Sequence, residues 1–271
     1  MNIGIAGSNG YVGKNIISEF KKTKHTVVSL ERNLNVDEIS EVIKTNKIDC
    51  IINAVGIIKE TKTNTFESAH VEYVNKLLEA GKKNNLKLFV QISALGVGEN
   101  IQTEYYKSKE KAEEIIKSSG IPYTIIRPCM LFGKGDKSLS FFLKIMKTLH
   151  ILPIFSGGKY LIQPLHIDDL TSLVTNVIGS SRYANRIIEI AGPKTYMYKE
   201  MIKAIKKSKK TKALLINIPT FLSKAIALIG NILPLPIDSD RLTMLTKGNY
   251  LKRRKTNSII QITGTHRLEE I

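Results

Sequence analysis

Over the first 130 residues the chain alternates short β-branched apolar runs with longer stretches in which apolar residues recur every three or four positions. This is the mark of βαβ units and a parallel sheet. The apolar runs predict strands over 2–6, 26–30, 50–54, 87–92 and 123–127, and the periodic stretches predict helices over 12–21, 36–45, 66–84 and 106–118. Beyond Pro128 the pattern changes to a helix over 138–149, a turn-rich connector over 153–158, a strand over 161–167, a helix over 169–178, a strand over 186–190 and a helix over 198–207. These read as additions to the carboxyl edge of a doubly wound sheet, building a small lobe where such folds bind substrates. From Ile216 onward an apolar helix, a Pro-rich turn and a basic tail follow without a place in this scheme.

The first predicted strand runs straight into Gly7-Ser8-Asn9-Gly10-Tyr11-Val12-Gly13, and helical periodicity follows. Such spacing has a physical purpose: the first glycine permits a tight turn, the second lets backbone amides approach a pyrophosphate, and the third lets helix pack on strand. A glycine triplet alone is a weak signal, but on a strand-turn-helix opening a βαβ series it points to a dinucleotide. Glu31 and Arg32 close the second strand; a carboxylate there suits the ribose of NAD, whereas an arginine accommodates the extra phosphate of NADP. With both side by side, NADP is slightly favoured over NAD. Asn53-Ala54-Val55-Gly56 closes the third strand with small residues, suited to lying against a cofactor or simply to tight packing. The expected fold is therefore α/β, a Rossmann-type doubly wound parallel sheet with a small C-terminal substrate lobe. An NAD(P)-binding domain is expected over 1–135, and C-terminal additions interleaved with the sheet edge over 136–271.

Composition changes this picture little. The 271 residues are 42% hydrophobic and carry a net charge of +17, with 19 basic and 15 acidic side chains in residues 1–135 against 22 and 9 in residues 136–271. No aromatic interleaving, helix-turn-helix or zinc motif accompanies the lysines, so nucleic acid is not an expected partner. The abundance of Lys, Asn and Ile fits a compositional bias, while the basic C-terminal half together with Phe221–Leu235 is compatible with peripheral membrane contact. That apolar stretch is too short for the roughly 20 residues of a spanning helix. Cys50 and Cys129 sit in apolar runs as free thiols would. With no signal-peptide pattern after Met1, the expected location is cytoplasmic, with membrane association compatible. His166, Asp168 and Asp169 read as a helix start rather than a metal site, and no metal is expected.

Further motifs follow in order: Phe89-Val90-Gln91-Ile92-Ser93-Ala94-Leu95-Gly96, Tyr105-x-x-Ser108-Lys109, Ile126-Arg127-Pro128 with Phe132-Gly133, Gln163-Pro164-Leu165-His166-Ile167-Asp168-Asp169, and the ending Gly264 to Ile271. With the glycine turn and Asn53–Gly56, they make the chain resemble the extended and atypical short-chain dehydrogenase/reductase family. The resemblance lies in the branch with NAD(P)-binding epimerase-like proteins and the dehydrogenase-fold accessory subunit of respiratory complex I. It implies that Tyr105 and Lys109 share a helix face beside the nicotinamide, with Lys109 and Pro128 among the residues meeting the cofactor. A phenol of pKa near 10 shuttles protons at neutral pH only when a neighbouring ammonium favours the phenolate, and the i, i+4 spacing of this pair allows that.

The chain also departs from the pattern. Ala94 occupies the position of the family's catalytic serine or threonine, leaving Ser93, which aligns with a structural serine, as the remaining third candidate catalytic residue. His70 stands where the family commonly has asparagine. Two readings result: an oxidoreductase or epimerase moving a hydride at a carbinol carbon of an unknown small-molecule substrate, or a non-catalytic NAD(P)-holding structural or assembly protein. The Tyr-Lys pair tilts the balance to the enzyme.

Overall fold

The computed structural model describes residues 1–233, 235, 237–252 and 259–268, without the side chains of residues 137–139, 141 and 142. Most of the expected basic tail, and the last three residues of the stretch from Gly264 to Ile271, lie outside the described residues. In chain order the elements are β1 (Asn2–Ala6), α1 (Tyr11–Phe20), β2 (Thr26–Leu30), α2 (Val36–Thr45), β3 (Cys50–Asn53), a π-helical turn (Glu67–Glu72), α3 (Tyr73–Lys83), β4 (Leu88–Ile92), α4 (Glu104–Ser118) and β5 (Tyr123–Pro128). Then come β6 (Leu131–Phe132), α5 (Lys137–Thr148), β7 (Ile151–Ile154), β8 (Leu161–Ile162), β9 (Leu165–His166), α6 (Ile167–Ile178), β10 (Arg186–Ala191), β11 (Tyr196–Met197) and α7 (Tyr198–Ser208). The last elements are β12 (Leu214–Asn217), α8 (Thr220–Gly230), α9 (Ser239–Thr246) and β13 (Ile259–Thr263).

Seven strands form the main sheet in the order β13-β10-β5-β4-β3-β1-β2. The pairs β1–β2, β1–β3, β3–β4, β4–β5 and β5–β10 are all parallel. All four residues of β3 are buried, as a central strand covered on both faces requires. Ile39 and Ile43 of α2, Val74 and Leu77 of α3, and Ala112 and Ile116 of α4 join Ile51 and Phe89 in one apolar cluster on one face of the sheet. α1 packs against α6, and neither contributes to that cluster, so they supply the other layer of a doubly wound fold. The order of strands reverses at β1 and β3, and the carboxyl ends of two such strands diverge to leave a crevice.

The chain divides into two units. The first comprises residues 1–128, 167–190 and 253–262, and the second comprises 129–166, 191–252 and 263–271. The second has its own core, in which Leu152, Ile154, Tyr198, Met201 and Ile202 meet Phe132 and Met146. It holds three small pairings: β6 with β9 and β7 with β12, both parallel, and β8 with β11, antiparallel.

Three expectations change. The helix predicted over 66–84 opens as a π turn before α3. The connector at 153–158 begins inside β7, because Ile151–Ile154 finds a partner in β12. The strand predicted over 161–167 breaks into β8 and β9: Pro164 between them has no N–H for a ladder, and Gln163 donates its side-chain amide to the Gly192 carbonyl at 2.7 Å instead.

Candidate cofactor cleft and adjoining Tyr-Lys cluster

Gly7 follows β1 at φ +79°, a conformation that costs an L side chain dearly. A Cβ on Gly7 would also lie 2.9 Å from backbone atoms of Ala54 and Val55, so the turn after β1 is laid directly against the turn after β3. Any Cβ on Gly13 would collide with the Gly7 carbonyl oxygen, and that contact holds the first turn of α1 close to the strand end. Gly10 caps α1 without a side-chain hydrogen bond, and the first turn contains no acid. The first amides of a helix have no intrahelical acceptors and carry partial positive charge. Tyr11, Val12 and Gly13 thus present backbone N–H groups to an anion.

Between the two turns lies a cleft of about 210 Å³, lined by Gly7 to Gly10, Leu30 to Arg32 and Ala54 to Ile57. The Arg32 guanidinium donates to Ser68 Oγ at 3.5 Å and forms no ion pair among the described residues. Asn53 is buried and does not line the cleft. Its amide nitrogen donates to Gln91 Oε1 at 2.9 Å, and its Oδ1 accepts the Val55 N–H at 3.1 Å. It therefore shapes the turn that brings Ala54 and Val55 to the cleft wall.

Behind the floor of the cleft, a Cβ on Gly56 would stand 3.4 Å from Lys109 Nζ and 4.0 Å from His70 Nε2. The Lys109 ammonium is buried, with the Ile92 carbonyl at 3.4 Å. Burial, opposed by Glu113 one turn along α4, brings its pKa down to about 8. His70 Nε2 accepts the Ile57 N–H at 3.1 Å, so the proton resides on Nδ1, which donates to Ser108 Oγ at 2.8 Å; Ser108 Oγ in turn donates to the Tyr105 carbonyl. Burial, with the charges of Lys109 and Arg32, pushes the imidazole down to about 2, so it is neutral at all ordinary pH. This chain of bonds joins the turn after β3 to the start of α4.

The Tyr105 ring packs edge-on against Phe66, His70 and Tyr106. No hydrogen bond joins its hydroxyl to Lys109. The expected lowering of its pKa is absent: burial pushes the phenol up to about 12, because Lys109 turns toward the Ile92 carbonyl and leaves desolvation unopposed. Ser93, the third candidate, donates its hydroxyl to Glu113 Oε1 at 2.6 Å. Glu113 also accepts two bonds from the Arg127 guanidinium, at 2.9 and 2.6 Å, so Ser93 belongs to a buried ionic network. Pro128 lies within β5, where its carbonyl accepts the Leu95 N–H at 2.9 Å. Neither Pro128 nor Lys109 lines the cleft itself.

A family model described as the NAD dependent epimerase/dehydratase family matches residues 3–191. The chain belongs to this family. Among the family's curated proteins, the NADH-ubiquinone oxidoreductase 40 kDa subunit of Neurospora crassa is 27% identical over 76% of this chain and 53% of its own length. The NADH dehydrogenase 1 alpha subcomplex subunit 9 of Arabidopsis thaliana is 26% identical over 76% of this chain and 52% of its own. The chain thus spans about half the length of these curated relatives. Among solved structures, a dTDP-4-dehydrorhamnose reductase of Clostridium acetobutylicum superposes with a TM-score of 0.71 at 20% identity, covering 92% of this chain and 93% of that one. A UDP-glucuronic acid 4-epimerase of Bacillus cereus, in complex with UDP-glucuronic acid and NAD, gives 0.70 at 17% identity, covering 91% and 98%. The fold is the Rossmann-like fold of these neighbours; the Bacillus cereus epimerase is solved with NAD and a reductase from Bacillus anthracis with NADP.

Against this epimerase/dehydratase background, Gly7, Ser8, Asn9, Gly10, Glu31, Arg32, Ala54, Val55 and Gly56 all line one cleft. Leu30, Ile57, Ser68 and the His70–Ser108 link were not legible. The π turn that carries Ser68 and His70 was hidden inside a stretch reading as regular helix. Of the residues read as a helix start, Asp168 and Asp169 fall in the first turn of α6, where carboxylates suit the helix dipole. His166 packs its ring on Phe132 and His266.

Proposed function

We propose that this protein is an NAD(P)-dependent oxidoreductase or epimerase acting at a carbinol carbon. The observation that carries the reading is the cleft at the β1/β3 switch with the Lys109 ammonium directly behind Gly56. Bound there, a nicotinamide would supply or take up the hydride. Lys109, charged at neutral pH, offers its three donors to hydroxyls or to a phenolate on the cleft side. Tyr105, one turn earlier on α4, gives or takes the proton at its phenol oxygen. That requires Lys109 to swing from the Ile92 carbonyl toward Tyr105 on binding, since catalytic hydrogen bonds tighten in the Michaelis complex. Arg32, without an ion pair among the described residues, would hold a 2′-phosphate and favour NADP.

The test has two parts. Calorimetry with NADPH and NADH should give binding in the micromolar range or tighter, NADPH the stronger, with Arg32→Ala weakening only NADPH. A screen of sugar nucleotides and hydroxy-acyl compounds, read by nicotinamide absorbance for net oxidation or reduction and by NMR of the products for epimerisation, should then find a substrate whose turnover Tyr105→Phe removes while cofactor affinity stays.

A second reading has its own support: the Tyr105 phenol is raised rather than lowered, Ala94 stands at the family's Ser/Thr position, and Ser93 is bound to Glu113. On this reading the cofactor stabilises the fold by mass action, as part of a structural or assembly role. Binding without turnover of any compound, together with a Tyr105→Phe protein that keeps its cellular role, would decide for it.

A further inference from the structure

The second unit carries an apolar face and a cation field that the cofactor cleft does not use. Only Ser223, Ala227 and Gly230 of α8 are buried, a narrow stripe at i, i+4, i+7. The rest of the helix is mostly apolar and faces solvent: Phe221 is 76% exposed, with Leu222, Leu228 and Ile229 also exposed, and beyond the helix Ile232 is 86% exposed. Leu214 and Ile216 of β12, the strand leading into α8, are exposed as well. Scattered surface leucines need no explanation, but a run of this kind does.

The same stretch is basic. No Asp or Glu occurs between residues 201 and 237, while Lys203, Lys206, Lys207, Lys209, Lys210, Lys212 and Lys224 do. None of these seven forms an ion pair among the described residues. In the first unit, by contrast, Lys22, Lys83, Lys87, Lys107, Lys111 and Lys117 all meet carboxylates. Unit-wide, 18 Lys and Arg stand against six Asp and Glu. Beside the apolar face, α8, α9 and the turn after β7 enclose a groove of about 560 Å³ lined by Ser156, Tyr160, Lys224, Ser239 and Thr243, with Leu228 at the same opening. The Tyr160 hydroxyl is buried there with no hydrogen-bond partner among the described residues.

We propose that this face docks on the surface of an anionic phospholipid bilayer, α8 lying in the interface and the groove receiving a lipid headgroup. The groove's hydroxyls and Lys224 match a phosphate and glycerol, and Leu228 and Phe221 match acyl chains just below. Eleven residues of helix span about 16 Å, half the hydrocarbon thickness, so α8 can lie in the interface but not cross it. A second copy of this chain is disfavoured by the like charge of the two faces. Nucleic acid is disfavoured because, Phe221 apart, the exposed apolar residues named on this face are aliphatic, whereas bases stack on aromatics. The proposal stands independently of the cofactor reading.

Co-sedimentation of the full chain with phosphatidylcholine vesicles, with and without phosphatidylglycerol, tests it. We expect binding only to the anionic vesicles, weakening as salt is raised, and at least a tenfold loss in Phe221→Asp/Ile232→Asp. Lys224→Gln should cost about fivefold, one surface cation's share, and Tyr160→Phe a measurable loss beyond that. Circular dichroism of each variant secures its fold, and NADPH affinity measured alongside reports the cleft separately. No binding to anionic vesicles, equal binding to neutral ones, tighter binding to a single-stranded oligonucleotide, or a dimer that Ile232→Asp dissolves would overturn the proposal. Full vesicle affinity in both Lys224→Gln and Tyr160→Phe would overturn the headgroup site.

Discussion

Lys109 shows how far a single side chain can be read from sequence. Type and spacing from Tyr105 alone suit a solvated lysine on an amphipathic helix; the resemblance to the family placed it beside a cofactor, and in the structure its ammonium stands 3.4 Å from where a Cβ on Gly56 would lie. Its partner was not legible, because whether an ammonium four residues from a phenol turns toward it is settled by a carbonyl on β4. The burial of this cation, only partly offset by Glu113, has a thermodynamic consequence. With the folded pKa near 8 and the unfolded value near 10.4, folding must carry a buried charge at pH 7. That penalty, about 3 kcal/mol at 1.36 kcal/mol per unit, is relieved as pH rises from 8 to 10.5, because there the unfolded chain binds the proton and the folded one does not. Lys109→Met should therefore be more stable than the parent in urea at pH 7 by up to that amount, with the gap closing by pH 10.5. A gap independent of pH would show that Lys109 is not held as a buried cation.

At the scale of elements, β1, β2 and α2 form over the residues that the pattern marks out, because each couples a clean period to clear ends. α2, for instance, starts on a full capping box between Asn35 and Glu38. The lobe was harder to read because its strands are two to four residues long and depend on partners far along the chain. The glycine turn allows a prediction that separates ligand from fold. A Cβ on Gly10 meets only the Gly7 carbonyl at 3.2 Å, whereas one on Gly13 collides with it. Gly10→Val should thus fold but lose NAD(P) binding in calorimetry, its side chain filling the place of the pyrophosphate. Gly13→Ala should lower the melting temperature as well, since α1 must move off the turn; an unshifted melting temperature would refute this account of the close approach.

Across the whole chain, one network links residues from position 93 to position 261. Arg127 on β5 binds Glu113 of α4 with two hydrogen bonds and reaches Glu189 of β10 at 3.4 Å. Ser93 donates to Glu113, and Gln261 of β13 donates to Glu189 at 3.0 Å. Arg127 keeps 5% of its side-chain surface and the two glutamates 1% and 0%, so water cannot substitute for any partner. Nothing in the motif Ile126-Arg127-Pro128 points to Glu189, 62 residues on. Removing this cation strips Glu113 and Glu189 of a shared buried partner, with Lys117 still 3.8 Å from Glu113, and breaking a buried ionic group in this way typically costs about 3–5 kcal/mol. Arg127→Met should show that loss in urea unfolding. Adding Glu113→Gln and Glu189→Gln should recover most of it, because the excess buried negative charge disappears with them and replacing a whole buried ionic group is often neutral. A triple variant as unstable as the single one would mean that the hydrogen-bond geometry, rather than the charge balance, holds α4, β5, β10 and β13 together.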